Sequence, residues 1–285
     1  MPSIQKSFRE VVTWALVATY LAFVAFNAWE PSPFALWLAV IGCICAFTHC
    51  SLSYGLRNAL VLTAICLAVS FTTENIGSAT GVIFGRYHFE IGAELPRIGN
   101  IPIIVGGVWF GMGYFAWNVA STILDGADRR LNENGNILIL PIVSAFVMTQ
   151  WDFVMDAPMA TISKAWIWHE GGGIFGVPLS NYLGWLFNCW LFYQGFAFYL
   201  AGRSLPILAN ERTYRLVAIL FYAVSGLAHL TPWLMNQTGE TMDASGYSWR
   251  IHDIREATVA AMLFTTLFTS IIAGLRLVRI DPRAR

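Results

Sequence analysis

"LRNALVLTAICLAVSFTTENIGSATG", residues 56–81, decides the fold. Arg57 is followed by 16 residues without a charge before Glu74. At 1.5 Å per residue such a run covers about 24 Å of a hydrocarbon layer about 30 Å thick. A helix on the surface of a soluble domain would carry a polar stripe. This one is apolar on every side, so it reads as a spanning helix. Its far end differs from its middle. Glu74 falls where the helix reaches the membrane surface, and Gly77, Gly81, Gly85 and an Arg86-Tyr87-His88 run follow.

The same pattern recurs along the chain. The sequence is 56% hydrophobic and 12% charged, where a soluble domain carries about 25% charged residues. Eight long apolar runs stand out, at roughly 11–28, 34–50, 56–75, 100–124, 137–156, 183–201, 213–235 and 257–276. Lipid leaves no partner for an open backbone group, so each run must close its hydrogen bonds internally. The expectation is an all-α, polytopic membrane helix bundle of about eight transmembrane helices with long outer-side loops. Residues 1–285 read as a single integral membrane domain. The first run is too long, and is followed by too much lipid-like sequence, to read as a cleaved signal peptide.

Lysine and arginine set the orientation. With the N-terminus in the cytoplasm, that side receives 12 of the 17, among them Arg57, Arg129, Arg130, Arg215 and Arg285. The other side receives Arg86, Arg97, Lys164, Arg250 and Arg255. The positive-inside rule then predicts a protein of the cytoplasmic (plasma) membrane with both termini in the cytoplasm. The net charge is zero and no basic cluster occurs, so nothing points to nucleic acid. Protein partners leave no mark in the sequence. The cysteines, at 43, 45, 50, 66 and 189, lie in or at the ends of spans without zinc-ligand spacing, and read as small apolar packing residues.

The cytoplasmic loops are ordinary. The opposite side carries three long loops rich in glycine and aromatics, 76–99, 157–182 and 236–256. Loops of that length without structure of their own are usually functional. Counting 1.5 Å per residue from each helix entry puts Glu74, Asp152 and His229 about 25, 22 and 24 Å along their spans. Asp156 stands one turn beyond Asp152, on the same helix face. Three helices thus bring ionisable groups to one level near the outer edge of the membrane, where such groups rarely face lipid.

Several chemistries lack their motif. There is no Gly-x-Ser-x-Gly elbow, and "GSATGVIFG" lacks the lysine and the strand of a phosphate loop. No Asp-Asp-x-x-Asp motif offers a diphosphate-bound magnesium ion, and the five histidines are scattered. No metal and no cofactor is therefore expected. What remains is carboxyl groups among aromatics: Trp109, Trp151, Trp166, Trp168, Trp185, Tyr87 and Tyr182. A carboxyl in dry surroundings keeps its proton and can act as a general acid. Aromatic faces stabilise a cation. Together they suit protonation of an alkene.

The blocks "TENIGSATGVIFGRYHF" (73–89) and "IPIIVGGVWFGMGY" (101–114), then "DFVMDAPMA" (152–160) and "WIWHEGGGIFGVPLSNYLGW" (166–185), carry a resemblance. In order and spacing they resemble the multi-spanning carotenoid biosynthesis proteins, the CruF-type carotenoid 1,2-hydratases and bisanhydrobacterioruberin hydratases. The resemblance implies cofactor-free addition of water to the terminal isopropylidene double bond of a linear carotenoid. It carries over Glu74, Thr80, Arg86, Tyr87, Asp152, Asp156, Trp168, Pro178, Asn181 and Trp185 as motif positions. It does not say which carboxyl donates the proton. Our reading takes Asp152 as the acid, Glu74 or Asp156 as the holder of water, and Asn181 and Tyr87 as orienting groups. Trp151 and His229 complete the expected binding set, for a lipophilic polyene or terpenoid substrate reaching the site from the lipid bilayer. A terpenoid cyclase or isomerase using the same acids is the alternative. A transporter fits less well, because no inverted repeat is evident and the charges cluster at one depth.

Overall fold

A computed structural model describes residues 11–24 except 13 and 23, then 35–208 and 210–279. The described residues of 11–24 are helical and form α1. Then come α2 (Ala35–Tyr54), α3 (Leu56–Thr80), α4 (Ile103–Ile123), α5 (Asn136–Ala157) and α6 (Leu179–Leu200). After them follow α7 (Glu211–Leu227), the short α8 (Leu230–Leu234), α9 (Ile251–Met262) and α10 (Phe268–Arg279). A π-helical segment, Pro158–Ile162, extends α5, and another, Leu263–Leu267, joins α9 to α10.

The chain is thus an all-α membrane bundle. Among the described residues six helices are long and apolar enough to cross a membrane: Trp37–Tyr54, Leu56–Thr80, Ile103–Ile123, Asn136–Ile162, Glu211–Leu234 and Ile251–Arg279. The eight expected spans map onto these six with two exceptions. The run 11–28 lies partly outside the described residues. The run 183–201 falls in α6, which has 22 residues and no charge, but its Trp, Tyr, Asn and Gln side chains hold down its hydropathy.

α4 is the central element. Every residue from Trp109 to Thr122 is buried, as expected of a helix that is apolar all round and enclosed by neighbours. α2, α3, α5 and α7 pack around it, and α6 lies between α3 and α5. Gly77 of α3 and Gly184 of α6 make room for the buried Phe84 ring, since a Cβ on either would stand 2.7 or 2.6 Å from it. That ring pins the turn after α3 between two helices.

The long loops are not irregular throughout. β1 (Tyr87–Phe89) and β4 (Trp166–Trp168) pair antiparallel, with Tyr87 opposite Trp168 and Phe89 opposite Trp166. β2 (Arg97–Ile98) pairs with β3 (Ile101–Pro102), and β5 (Glu240–Met242) with β6 (Ser248–Arg250). The first and second loops are therefore tied together by a two-stranded ribbon.

A second polar group is buried at the other end of the bundle. Asp128 follows α4 in a turn of 3-10 helix. Its Oδ1 accepts from Arg215 Nη2 at 2.9 Å and from the Ser121 hydroxyl, and its Oδ2 from the Tyr54 hydroxyl at 2.6 Å. Arg215, only 4% exposed, also donates to Glu211 at 2.7 Å. Burial alone would push the Asp128 carboxyl up. The Arg215 and Arg129 charges and the two hydroxyls outweigh burial and hold it well below the usual aspartate range.

Candidate functional site

α5 presents Asp152 and Asp156 one turn apart, and each is 1% exposed. α6 begins beside them, with Pro178 preceding its first turn and Asn181 within it. The Asn181 amide Nδ2 donates to Asp152 Oδ2 at 3.0 Å and also to Asp156 Oδ2. One amide thus holds two carboxyl groups together. Trp166, on β4, donates from Nε1 to Asp156 Oδ1 at 2.7 Å. Both Asp156 oxygens therefore have donors. Asp152 Oδ1 is buried without a hydrogen-bond partner among the described residues.

Glu74, near the end of α3, is buried in an equally complete set of bonds. Trp109 of α4 donates from Nε1 to Oε1 at 2.8 Å, and the Tyr87 hydroxyl donates to Oε2. Tyr87 bonds to Glu74 and has Asp156 as a charged neighbour. Burial first, then the Glu74 charge and hydrogen bond, then the Asp156 charge, hold its phenol well above its ordinary value, so it stays a donor. Its ring lies 4.8 Å from that of Trp168, its partner across the ribbon.

Aromatic rings connect these groups. Trp109 stacks on Trp185 at 3.9 Å, and Trp151 meets Trp185 at 6.0 Å. Phe89 and Trp166 close the ribbon side at 6.1 Å. None of the ion pairs among the described residues involves Glu74, Asp152 or Asp156. Asp128, by contrast, has Arg215 and Arg129 beside it. Three buried carboxyl groups without a basic neighbour, walled by π-faces, form an electron-rich site suited to a proton or a transient carbocation. Among the described residues no three His, Cys, Asp or Glu side chains are disposed to share a metal ion.

The structure thus gathers Glu74, Tyr87, Trp151, Asp152, Asp156, Trp168, Asn181 and Trp185 into one neighbourhood. Three other expected residues stand apart. Thr80 is exposed at the end of α3, where its hydroxyl donates to the Ile76 carbonyl at 2.6 Å. Arg86 is exposed, because alternation along the strand turns Tyr87 inward and its neighbours outward. His229 sits at the break between α7 and α8, with Arg255 as its charged neighbour, and none of the described hydrogen bonds joins it to a carboxyl group. α7 ends at Leu227, and His229 lies in the turn that joins it to α8 within the span Glu211–Leu234.

Trp109, Trp166 and Tyr182 read in the sequence only as aromatic wall. Trp109 and Trp166 each donate to a carboxylate, 35 and 10 residues away in sequence, and nothing in an indole's position along the chain signals that it will do so. Also unforeseen is an exposed pair on the ribbon: His88 Nδ1 and His169 Nε2 lie 2.7 Å apart, with Glu90 on His88 Nε2 at 2.9 Å.

The model of a family described as carotenoid biosynthesis protein matches residues 34–242, from the start of α2 to the end of β5. No curated protein and no solved structure matches the chain.

Proposed function

The chain belongs to the carotenoid biosynthesis protein family, and from that premise we propose that it is a carotenoid hydratase. The substrate is a linear polyene carrying a terminal isopropylidene double bond. The supporting observation is the Asp152–Asn181–Asp156 group, in which one carboxyl oxygen, Asp152 Oδ1, has no partner among the described residues. Two carboxyl groups meeting at one amide repel as anions, and a proton on one of them removes the repulsion. Asp152 delivers that proton to the CH carbon of the double bond. The electron pair of the double bond forms the new C–H bond and leaves a tertiary cation. Water adds its oxygen to that carbon and returns a proton to Asp152, so one water is consumed and the acid is regenerated. Glu74 and Asp156, each with a donor on both oxygens, supply fixed negative charge, and the tryptophans supply π-faces to the cation.

The test is expression in cells that accumulate a lycopene-like polyene, followed by mass analysis of the carotenoids. A gain of about 18 mass units, one water by the chemistry of general-acid hydration, supports the reading. Conversion to isomers of unchanged mass favours the cyclase or isomerase alternative, and unchanged pigment removes both. The orientation follows the arginine bias, with the site on the outer side and both termini cytoplasmic. An impermeant thiol reagent on intact cells should then label a cysteine placed at 164 and spare one at 129. The reverse pattern overturns the orientation.

Gly172 gives a further prediction. A Cβ there would stand 2.1 Å from the Val177 backbone carbon and 2.2 Å from the Pro178 nitrogen. Gly172→Ala must push the start of α6, and Asn181 with it, away from the aspartates. A misplacement of about 1 Å costs on the order of 100-fold in turnover. Gly173→Ala meets nothing within 4 Å and should behave as wild type. Equal activity of the two variants would remove Asn181 placement from the explanation.

A further inference from the structure

Five buried side-chain polar atoms lack a hydrogen-bond partner among the described residues: Arg129 Nε, Ser144 Oγ, Asp152 Oδ1, Trp168 Nε1 and Tyr182 Oη. Buried polar atoms are almost always satisfied, so such exceptions mark places where a ligand completes the bonding. Arg129 Nε has a compensating charge, the Asp128 carboxylate at 3.5 Å. Three of the other four belong to one neighbourhood. Tyr182 follows Asn181 on α6, packs its ring on Phe153 at 5.2 Å, and lies in the field of both Asp156 and Asp152. The Trp168 N–H is buried on the ribbon strand opposite Tyr87, with Asp156 as a charged neighbour and no hydrogen-bond partner among the described residues. Asp152 Oδ1 is the third.

We infer that Tyr182, Trp168 and Asp152 together bind the water that captures the cation, and that Tyr182 is a catalytic residue through its contact with that water. The inference rests on the hydratase reading and deepens it. The chemistry of the three atoms matches one water molecule. An indole N–H only donates, a phenol oxygen donates or accepts, and a carboxylate oxygen only accepts. Once Asp152 has given up its proton, Oδ1 accepts one hydrogen of the water and Tyr182 Oη accepts the other. The Trp168 N–H takes one lone pair, and the second lone pair is left to form the C–O bond. The proton on Oδ1 then restores the acid. Glu74 and Asp156 have less acceptor capacity to spare for this role, because each of their oxygens already accepts a hydrogen bond. A water held this way also decides between hydration and cyclisation, since it must reach the cation before a neighbouring double bond does.

Tyr182→Phe separates this role from a structural one. Removing a buried hydroxyl that bonds to nothing in the protein leaves stability unchanged or raised, so the variant should unfold at or above the wild-type temperature. Purified wild type and variant are given the polyene in D2O, and both hydrated product and recovered alkene are analysed by mass. Wild type should yield alcohol. Tyr182→Phe should lose alcohol by about tenfold or more, as expected for loss of a positioned catalytic group. It should still protonate, so recovered or isomerised alkene should carry deuterium. Trp168→Phe, which keeps a ring but removes the N–H, should shift products the same way. Alcohol formation at the wild-type rate in Tyr182→Phe overturns the inference. So does loss of both alcohol and deuterium exchange in the folded variant, which would place Tyr182 with the proton donor. A wild type that forms neither alcohol nor deuterated alkene instead overturns the hydratase reading beneath it.

Discussion

Asp152→Asn should lower hydration by about 100- to 10,000-fold, the usual cost of losing a positioned general acid. The amide keeps the shape of the carboxyl and can still meet Asn181, but it has no acidic proton to give. Because the double bond is never protonated, this variant should return unchanged substrate, with no deuterium from D2O. Glu74→Gln should be severe in another way. It replaces an acceptor of two donors, Trp109 and Tyr87, with a group that accepts at one end only. Fixed negative charge near the cation is then lost, while Asp152 Oδ1 is untouched. Isomerised or cyclised alkene should accumulate from cations that form slowly and are poorly held. Glu90 and Glu94 are exposed on the ribbon side, and their amides should behave as wild type. If folded Asp152→Asn hydrates at a near-normal rate, the proton comes from elsewhere and the assigned site is wrong.

The largest effect on stability is expected at the opposite end of the bundle. Asp128→Asn removes the buried charge that Arg215 faces and leaves it only the partly exposed Glu211 carboxylate. The loss should therefore approach, from below, the cost of a buried charge left without a partner, about 3–5 kcal/mol. Thermal unfolding in detergent reads this as a lower midpoint. A double variant, Asp128→Asn with Arg215→Met, should recover most of the loss, because replacing a whole buried pair by apolar groups is often neutral. A single variant within about 1 kcal/mol of wild type would show that the pair is dispensable. The pH dependence follows from the depressed carboxyl. A group whose folded value lies below its unfolded one contributes fully above the unfolded value, about pH 4 for aspartate. That contribution is lost as pH falls through the lower, folded value. Neutral and mildly acidic solutions should therefore leave this end of the bundle intact.

The two polar groups differ in how far the sequence reveals them. Asp152, Asp156 and Glu74 were legible because charge inside a lipid-soluble helix is costly and the helical repeat fixes which residues share a face. Their donors were not. Asn181 came only with its motif, and Trp109 and Trp166 resembled interfacial aromatics. The Asp128–Arg215 pair was invisible, since its members are 87 residues apart and lie at the ends of their elements that the arginine bias assigns to the cytoplasm, where charges are ordinary. The spans were legible from apolar length, but breaks within them were not. Ala228 and His229 interrupt a run that does carry local marks, Gly226 before the break and Pro232 with no N–H to give the Ala228 carbonyl, but apolar length alone runs through them. The ribbon escaped because strands of three residues are too short to show alternation.

The ribbon also sets an order of events. Its two strands are brought together across 81 residues of chain, and α4 and α5 lie between them. β1 emerges early in synthesis and must wait, unpaired, until both helices are threaded into the bilayer and β4 follows. Contacts of such long sequence separation form late, because the closure entropy of the intervening chain precedes any gain from pairing. Tyr87, Trp166 and Trp168 all ride on those strands. The three carboxyl groups are therefore carried on α3 and α5 before the paired strands hold Tyr87, Trp166 and Trp168 beside them.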